Sequence, residues 1–183
     1  MEGLISERLQ GLILAFTTIP RAEIWLYCLG IFLLLVVITT PIGLQSGFLR
    51  IERMAGNLWR LVVVALTLAI QPAMLEEFLF RALLLPHPAQ SHPLRITLPW
   101  AVVGLVAFIL SHPINGIFIR KTARSLFTDP LFLIFAGLLG VACTAAYLIS
   151  GSIWPPVLIH WAVVTPWILF LGGGNTLYRK ADS

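Results

Sequence analysis

QPAMLEEFLFRALLLP, residues 71–86, decides how this chain must fold, because it places three ionisable side chains in an otherwise apolar region. Glu76, Glu77 and Arg81 follow residues 61–70, which contain no charged residue. An ionised side chain at the centre of a bilayer costs about 2.5–3.5 kcal/mol even on insertion scales that give low values. These side chains therefore need a compensating partner, a catalytic role, or both.

The spacing of the three residues predicts different roles for the two glutamates. Glu77 and Arg81 are four residues apart, so on a helix they share one face, with the acid before the base. Glu76 lies about 100° further round the helix and is less well placed to share the arginine. We therefore expect a structural ion pair between Glu77 and Arg81, with Glu76 as a free carboxylate.

The composition of the whole chain requires a membrane. Of its 183 residues, 58% are hydrophobic and 11% are charged, and the mean hydropathy is +0.93. A soluble domain of this length cannot bury so much apolar surface. The net charge of +4 arises from 12 basic and 8 acidic residues. The basic residues cluster in short loops, which argues against a nucleic-acid-binding surface. We expect one integral membrane domain over residues 1–183.

Apolar segments bounded by proline, glycine and basic residues predict an all-α, polytopic transmembrane helical bundle with about five spans. The predicted spans are residues 24–40, 61–85, 98–119, 131–149 and 153–171. Residues 1–20 predict an additional amphipathic or marginally inserted helix on the membrane surface. Pro72 should kink the second span and open room beside Glu76. A second interruption is expected near Pro113.

Basic residues are unevenly distributed between the two ends of these spans. The loops that contain Arg50 and Arg120 and the tail that contains Arg179 fall on one side of a five-span topology. Because cytoplasmic loops are enriched in lysine and arginine, this side is predicted to be cytoplasmic, and the C-terminus with it.

Two histidines, His112 and His160, lie within other predicted spans. A helical bundle can bring side chains from several spans to one point, and ionisable groups must face its interior to avoid lipid. A carboxylate can then act as general base on a water, while imidazole groups position that water and donate to a leaving amine. Glu76, His112 and His160 are therefore candidate catalytic residues.

These residues also carry a family resemblance. Residues 76–81, EEFLFR, match an EExxxR motif, residues 108–112, FILSH, match an FxxxH motif, and residues 154–160, WPPVLIH, resemble the approach to a third motif. Together they resemble the CPBP family of intramembrane glutamate-type endopeptidases, also called the Abi or CAAX-protease family, over about residues 60–172.

The resemblance implies a role for each matching residue. Glu76 would activate water, His112 would be its partner, and His160 would stabilise the oxyanion. Phe108 would pack beside His112, and Glu77 and Arg81 would support the site.

One position departs from the family pattern. The family usually has Asn or Asp four residues after the last histidine, where this chain has Val164, which cannot donate a hydrogen bond. Thr165 and Asn115 are alternative donors. An alternative function follows from the same departure, namely a non-catalytic membrane scaffold or assembly factor that retains the protease fold.

The remaining expectations concern ligands, partners and location. We expect no cofactor and no metal, with zinc held by Glu76, His112 and His160 as the alternative, because two histidines and a glutamate form a known zinc ligand set. Expected partners are membrane lipids and a peptide or membrane-protein substrate, without nucleic acid; a membrane-protein complex is also considered. Looser similarity to cyanobacterial and plastid members favours a bacterial inner membrane or a thylakoid.

The depth of the two motifs in the membrane is a further test of the protease hypothesis. At about 1.5 Å per residue, Glu76 lies about 24 Å from the Arg60 end of its span, whereas His112 lies about 21 Å from the opposite end of its own. Kinks at Pro72 and Pro113 are therefore expected to bring the two side chains level. The hypothesis requires Glu76 and His112 to face the same cavity.

Overall fold

The computed structural model describes residues 2–177, and this part of the chain is almost entirely helical. An isolated bridge between Glu52 and Leu171 is the only extended pairing within it. The α-helices are α1 (Glu2–Thr17), α2 (Ala22–Gln45), α3 (Leu58–Leu68), α4 (Leu75–Glu77), α5 (Leu94–Ile114), α6 (Arg124–Phe127), α7 (Pro130–Ser150), α8 (Trp154–Phe170) and α9 (Gly173–Leu177). The predicted all-α bundle is confirmed.

Within residues 2–177, four helical segments are long and apolar enough to cross a membrane. They are Ala22–Gln45, Leu58–Gln90, Leu94–Ile119 and Pro130–Ser150. The fifth predicted span corresponds to α8, which has 17 residues and is about 26 Å long at 1.5 Å per residue. It lies at the lower end of the usual range for a transmembrane helix, about 17–25 residues. The chain is an integral membrane protein.

The N-terminal segment forms a helix, as predicted, and this helix packs against the bundle. Ala15 of α1 is fully buried in a cluster with Leu85 and Ile153. Arg8 donates a hydrogen bond to the carbonyl oxygen of Leu84 over 3.1 Å. These contacts connect α1 to the end of the second span; its position relative to the membrane surface stays a prediction.

The second span is broken at the predicted place. Helix α3 ends at Leu68, and Gln71 has φ −135° and ψ 114°, an extended conformation inside a helical segment. The ring of Pro72 disfavours the helical conformation for the residue before it, which explains why the break falls at Gln71. π-helical turns, Ala69–Met74 and Phe78–Leu83, flank the short helix α4, which carries Glu76 and Glu77.

The interruption expected near Pro113 lies slightly later in the chain. Helix α5 continues through Pro113 to Ile114, and a π-helical turn over Asn115–Ile119 follows it. In that turn the N–H of Arg120 donates to the carbonyl oxygen of Asn115 over 2.7 Å. The backbone is thus widened after the proline and not at it.

Two of the three basic segments lie at the same end of the bundle, as their distribution along the chain predicts. The N–H of Arg50 donates to the carbonyl oxygen of Leu171, just beyond α8. Phe48, in the same loop, packs on a buried cluster that includes Ala123 and Leu126 from the second basic segment. Arg179 and Lys180 lie outside the described residues, and the cytoplasmic location of this end stays a prediction.

Helix α7 lies at the centre of the bundle and contacts α2, α5 and α8. Its buried positions include several small residues: Ala136, Gly140, Ala142, Cys143 and Ala146. Small side chains let membrane helices approach closely, because dispersion contacts replace the hydrophobic effect between helices in lipid. This close packing brings the backbone of α7 within reach of the second and third spans.

We predict that Gly104→Ala destabilises the protein. A Cβ atom at this position would lie 3.0 Å from the carbonyl oxygen of Phe80 and 3.1 Å from a methyl group of Leu85. Overpacking of this kind costs about 1–3 kcal/mol. Thermal unfolding in detergent measures the effect.

Gly30→Ala is the matched control, because a Cβ atom there meets nothing within 4 Å. It should leave the thermal midpoint unchanged or raise it, since alanine is favoured over glycine in helices by up to about 1 kcal/mol. Equal midpoints for Gly104→Ala and Gly30→Ala would contradict this account of the packing.

Candidate active site

The structure contains the ion pair that the spacing predicts. Nη1 of Arg81 lies 3.1 Å from Oε1 of Glu77, and both side chains are buried, with exposed fractions of 1% and 0%. Nη2 of Arg81 donates to the carbonyl oxygen of Gly140 on α7 over 2.9 Å. The guanidinium also lies 4.6 Å from the ring centroid of Phe108. Arg81 therefore connects the second, third and fourth spans.

Glu77 has a second partner, which the sequence did not predict. Nδ1 of His160 lies 2.7 Å from Oε1 of Glu77, and His160 is only 2% exposed. Because a carboxylate oxygen accepts, Nδ1 carries the hydrogen and donates. Glu77 thus orients His160 as well as pairing with Arg81. The i,i+4 rule could not reveal this contact, since His160 lies 83 residues away in the chain.

Glu76 lies at the side of this buried network, where its carboxylate faces a cavity. Its Oε2 is 3.8 Å from Nε2 of His160, and its side chain is 23% exposed. That distance is too long for a hydrogen bond, and Oε2 has no hydrogen-bond partner among the described residues. Oε2 of Glu77 also lacks a partner, but Glu77 is paired with Arg81 through Oε1, whereas Glu76 is the carboxylate that lines the cavity.

His112 is held by its own helix through Phe108. Its Nδ1 donates to the carbonyl oxygen of Phe108 over 2.9 Å, so Nε2 is the acceptor in the neutral ring. The ring of Phe108, which is fully buried, lies edge-on to His112 and His160 at centroid distances of 5.0 and 6.0 Å. Phe108 packs beside His112, as the family resemblance implies, and also contacts His160.

Glu76, His112 and His160 line one cavity of about 460 Å³. Most of its other walls are apolar and come from α2, α3, α7 and α8; they include Phe32, Leu35, Val64, Phe132, Leu139 and Val164. The break at Gln71 brings Glu76 to the same cavity as His112. The requirement that both motifs face a common cavity is therefore met.

The departure at Val164 is visible in the cavity wall. Val164 lines the cavity, and so does Asn115 from the end of α5. Thr165 is buried, and its hydroxyl oxygen has no hydrogen-bond partner among the described residues. It does not line the cavity. Of the two alternative donors considered from the sequence, only Asn115 lies at the site.

The donor set fits a divalent metal poorly. The three residues considered as a zinc set, Glu76, His112 and His160, form no compact cluster in residues 2–177. The cluster whose ligand atoms lie within 4.8 Å of one another is Glu77, Cys143 and His160. Oε1 of Glu77 already accepts from Arg81 and from Nδ1 of His160. A cation at this cluster would also lie beside the guanidinium, whose charge would repel it.

A polytopic helical bundle in which a glutamate and two histidines line one cavity, with a buried glutamate–arginine pair behind one of the histidines, defines a class of membrane protein with an internal polar site. A family model described as Rce1-like, a type II CAAX prenyl endopeptidase, matches residues 57–165. The match covers more than half of the chain, including Glu76, Arg81, His112 and His160. The chain belongs to this Rce1-like family, which confirms the resemblance. Comparisons with curated proteins and with solved structures give no significant match.

We predict that Arg81→Met is strongly destabilising, because it leaves the buried carboxylate of Glu77 without its cationic partner. Removing one partner of a buried ion pair costs about 3–5 kcal/mol. Thermal unfolding of the purified protein in detergent measures the loss.

The double variant Glu77→Gln/Arg81→Met is the informative comparison, because it removes both charges. It should be more stable than Arg81→Met alone, although His160 loses a carboxylate acceptor in it. A double variant that is less stable than the single variant would show that the ion pair is not the dominant interaction.

Proposed function

We propose that the protein is an intramembrane endopeptidase that hydrolyses peptide bonds with a water activated by Glu76. The observation that carries this proposal is the carboxyl side chain of Glu76, which lines a cavity shared with two histidines and whose Oε2 has no hydrogen-bond partner among the described residues. Membership of a family described as prenyl endopeptidases supports the same reaction class.

The first step is proton transfer and attack. A water between Glu76 and the scissile carbonyl group gives a proton to the carboxylate, and its oxygen bonds to the carbonyl carbon. Nε2 of His112 is the acceptor in the neutral ring, because Nδ1 donates to Phe108. It can accept the second hydrogen of the water and so orient the attacking lone pair.

His160 is placed to stabilise the negative oxygen of the tetrahedral intermediate. Its ring lies between two carboxylates, since Nδ1 is 2.7 Å from Oε1 of Glu77 and Nε2 is 3.8 Å from Oε2 of Glu76. To donate to the oxyanion, this ring needs a hydrogen on Nε2 as well as on Nδ1. Glu77 holds Nδ1 of the same ring over 2.7 Å, which keeps Nε2 directed toward Glu76.

The second step returns the proton. The tetrahedral intermediate collapses, the C–N bond breaks, and the protonated Glu76 donates to the leaving nitrogen. The products are a carboxyl group and an amine, and Glu76 regains its ionised form. General acid–base catalysis of this type contributes about 10²–10⁴-fold to the rate.

The walls of the cavity favour an apolar segment of a peptide or membrane protein as substrate. Phe32, Leu35, Phe132 and Leu139 line it beside the polar cluster, and such walls bind side chains that would otherwise lie in lipid. We place the protein in a bacterial inner membrane or a thylakoid with its C-terminus in the cytoplasm or stroma.

We propose that catalysis needs no metal, because Oε1 of Glu77 and Nδ1 of His160 are already hydrogen-bonded to each other and the guanidinium of Arg81 lies beside them. We predict that EDTA and 1,10-phenanthroline leave the cleavage rate of the purified protein unchanged. Loss of activity with a chelator and its recovery with Zn²⁺ would contradict this prediction.

The proposed reaction is tested by Glu76→Gln, which keeps the shape of the side chain and removes the base. Purified protein in proteoliposomes is given a quenched fluorogenic, farnesylated peptide that ends in a CAAX sequence. In parallel, membranes from cells that produce the protein are surveyed by mass spectrometry for new peptide termini. We expect Glu76→Gln to lower the cleavage rate by about 10²–10⁴-fold with little change in thermal stability.

Glu23→Gln is the matched control, because Glu23 is exposed and pairs with Arg21 on the surface. It should cleave at the wild-type rate. If Glu76→Gln retains wild-type cleavage, Glu76 is not the base. If neither assay detects cleavage by the folded wild-type protein, the non-catalytic scaffold function replaces the proposal.

A further inference from the structure

We propose that Asn115 is a catalytic residue that donates its side-chain amide to the carbonyl oxygen of the scissile bond. The inference rests on the proposed endopeptidase function and adds a second oxyanion donor beside His160. Its basis is the position of Asn115 on the wall of the cavity that contains Glu76, His112 and His160.

The wall of the cavity that α8 contributes lacks a suitable donor next to His160. Val163 and Val164 line it there and carry no polar atom. Several hydroxyl groups elsewhere on the cavity wall are already engaged. Those of Thr39, Thr67 and Ser111 donate to the carbonyl oxygens of Leu35, Val63 and Phe108 over 2.7–2.8 Å. These hydroxyls satisfy their own helices, as is usual for Ser and Thr in membrane helices.

The side chain of Asn115 is polar and lies near His112 in the sequence. It makes no hydrogen bond with the described residues. It follows His112 by three residues, so the two side chains share one face at the end of α5. Its Oδ1 is buried and has no hydrogen-bond partner among residues 2–177. A buried amide oxygen without a partner is unfavourable unless a bound molecule donates to it.

An amide side chain has the hydrogen-bonding groups that a bound peptide needs. It offers two N–H donors and one carbonyl acceptor. The donors can hold the carbonyl oxygen of the scissile bond, and the acceptor can take an N–H of the substrate backbone. A 180° rotation of the amide exchanges its nitrogen and oxygen. The side chain of Asn115 offers donors and an acceptor in both orientations.

The backbone around Asn115 is fixed, which is what a donor to a transition state requires. Its carbonyl oxygen accepts from the N–H of Arg120 over 2.7 Å, and its N–H donates back into α5. The next residue, Gly116, packs so closely that a Cβ atom there would lie 2.8 Å from Cβ of Phe127. π-helical turns of this kind occur frequently at functional sites.

The test compares variants in proteoliposomes with the quenched farnesylated peptide and with a peptide derived from any new terminus. Asn115→Asp keeps the size of the side chain but removes its amide donors, and Asn115→Ala removes the whole group. We expect both to lower kcat by about 10²–10³-fold, the effect of losing one oxyanion donor, with KM and the thermal midpoint nearly unchanged.

A rescue experiment separates catalysis from a structural role. Val164→Asn in the Asn115→Ala background places an amide on the facing wall of the same cavity, next to His160. We expect it to restore kcat at least tenfold over Asn115→Ala. A purely structural role for Asn115 would not be repaired from another helix.

Thr165→Val is the control for the other donor considered from the sequence, and it should retain the wild-type kcat. A wild-type kcat in Asn115→Asp, or a large loss in Thr165→Val, would overturn the inference while leaving the protease function intact. Absence of cleavage by the folded wild-type protein would instead reject the proposed function and this inference with it.

Discussion

The hydrogen bonds of one carboxylate oxygen, Oε1 of Glu77, hold the site together. This atom accepts from Arg81 on its own segment and from His160 on α8, and Arg81 in turn donates to Gly140 on α7. Each of these groups is buried at the depth of the membrane spans, where an unpaired charge is costly. The network therefore ties three spans to one geometry, because any other arrangement leaves a charge without a partner.

Phe108 packs against the residues of this network and against His112. Its ring receives the guanidinium of Arg81 on one side and lies edge-on to both histidines. It also occupies the space next to Gly140, where a Cβ atom would lie 3.1 Å from the ring. A small residue on α7 thus leaves room for the large side chain on α5 that contacts both histidines. The arrangement of Arg81, His112 and His160 therefore depends on packing as well as on charge.

Two local departures from regular helix create the cavity. The break at Gln71 precedes the short helix that carries Glu76 to the cavity wall, and the π-helical turn after Ile114 places Asn115 on the same wall. Backbone irregularity within a membrane span is tolerated where it lines a cavity or is buried in protein. The first departure immediately precedes Pro72 and the second closely follows Pro113, which explains why both could be anticipated approximately. The positions of the two departures relative to each other could not be predicted from the sequence, because they depend on how the spans pack.

The sequence by itself determined the membrane environment, the helical spans, the Glu77–Arg81 pair and the freedom of Glu76, because hydropathy and i,i+4 spacing are local properties of the chain. It also identified the motifs that place the chain in its family. The tertiary structure alone decided that Glu77 orients His160, that Glu76 and His112 share a cavity, and that Asn115 faces this cavity while Thr165 does not. These facts join residues 30 to more than 80 positions apart, and the packing of whole helices, not any local pattern, sets such distances.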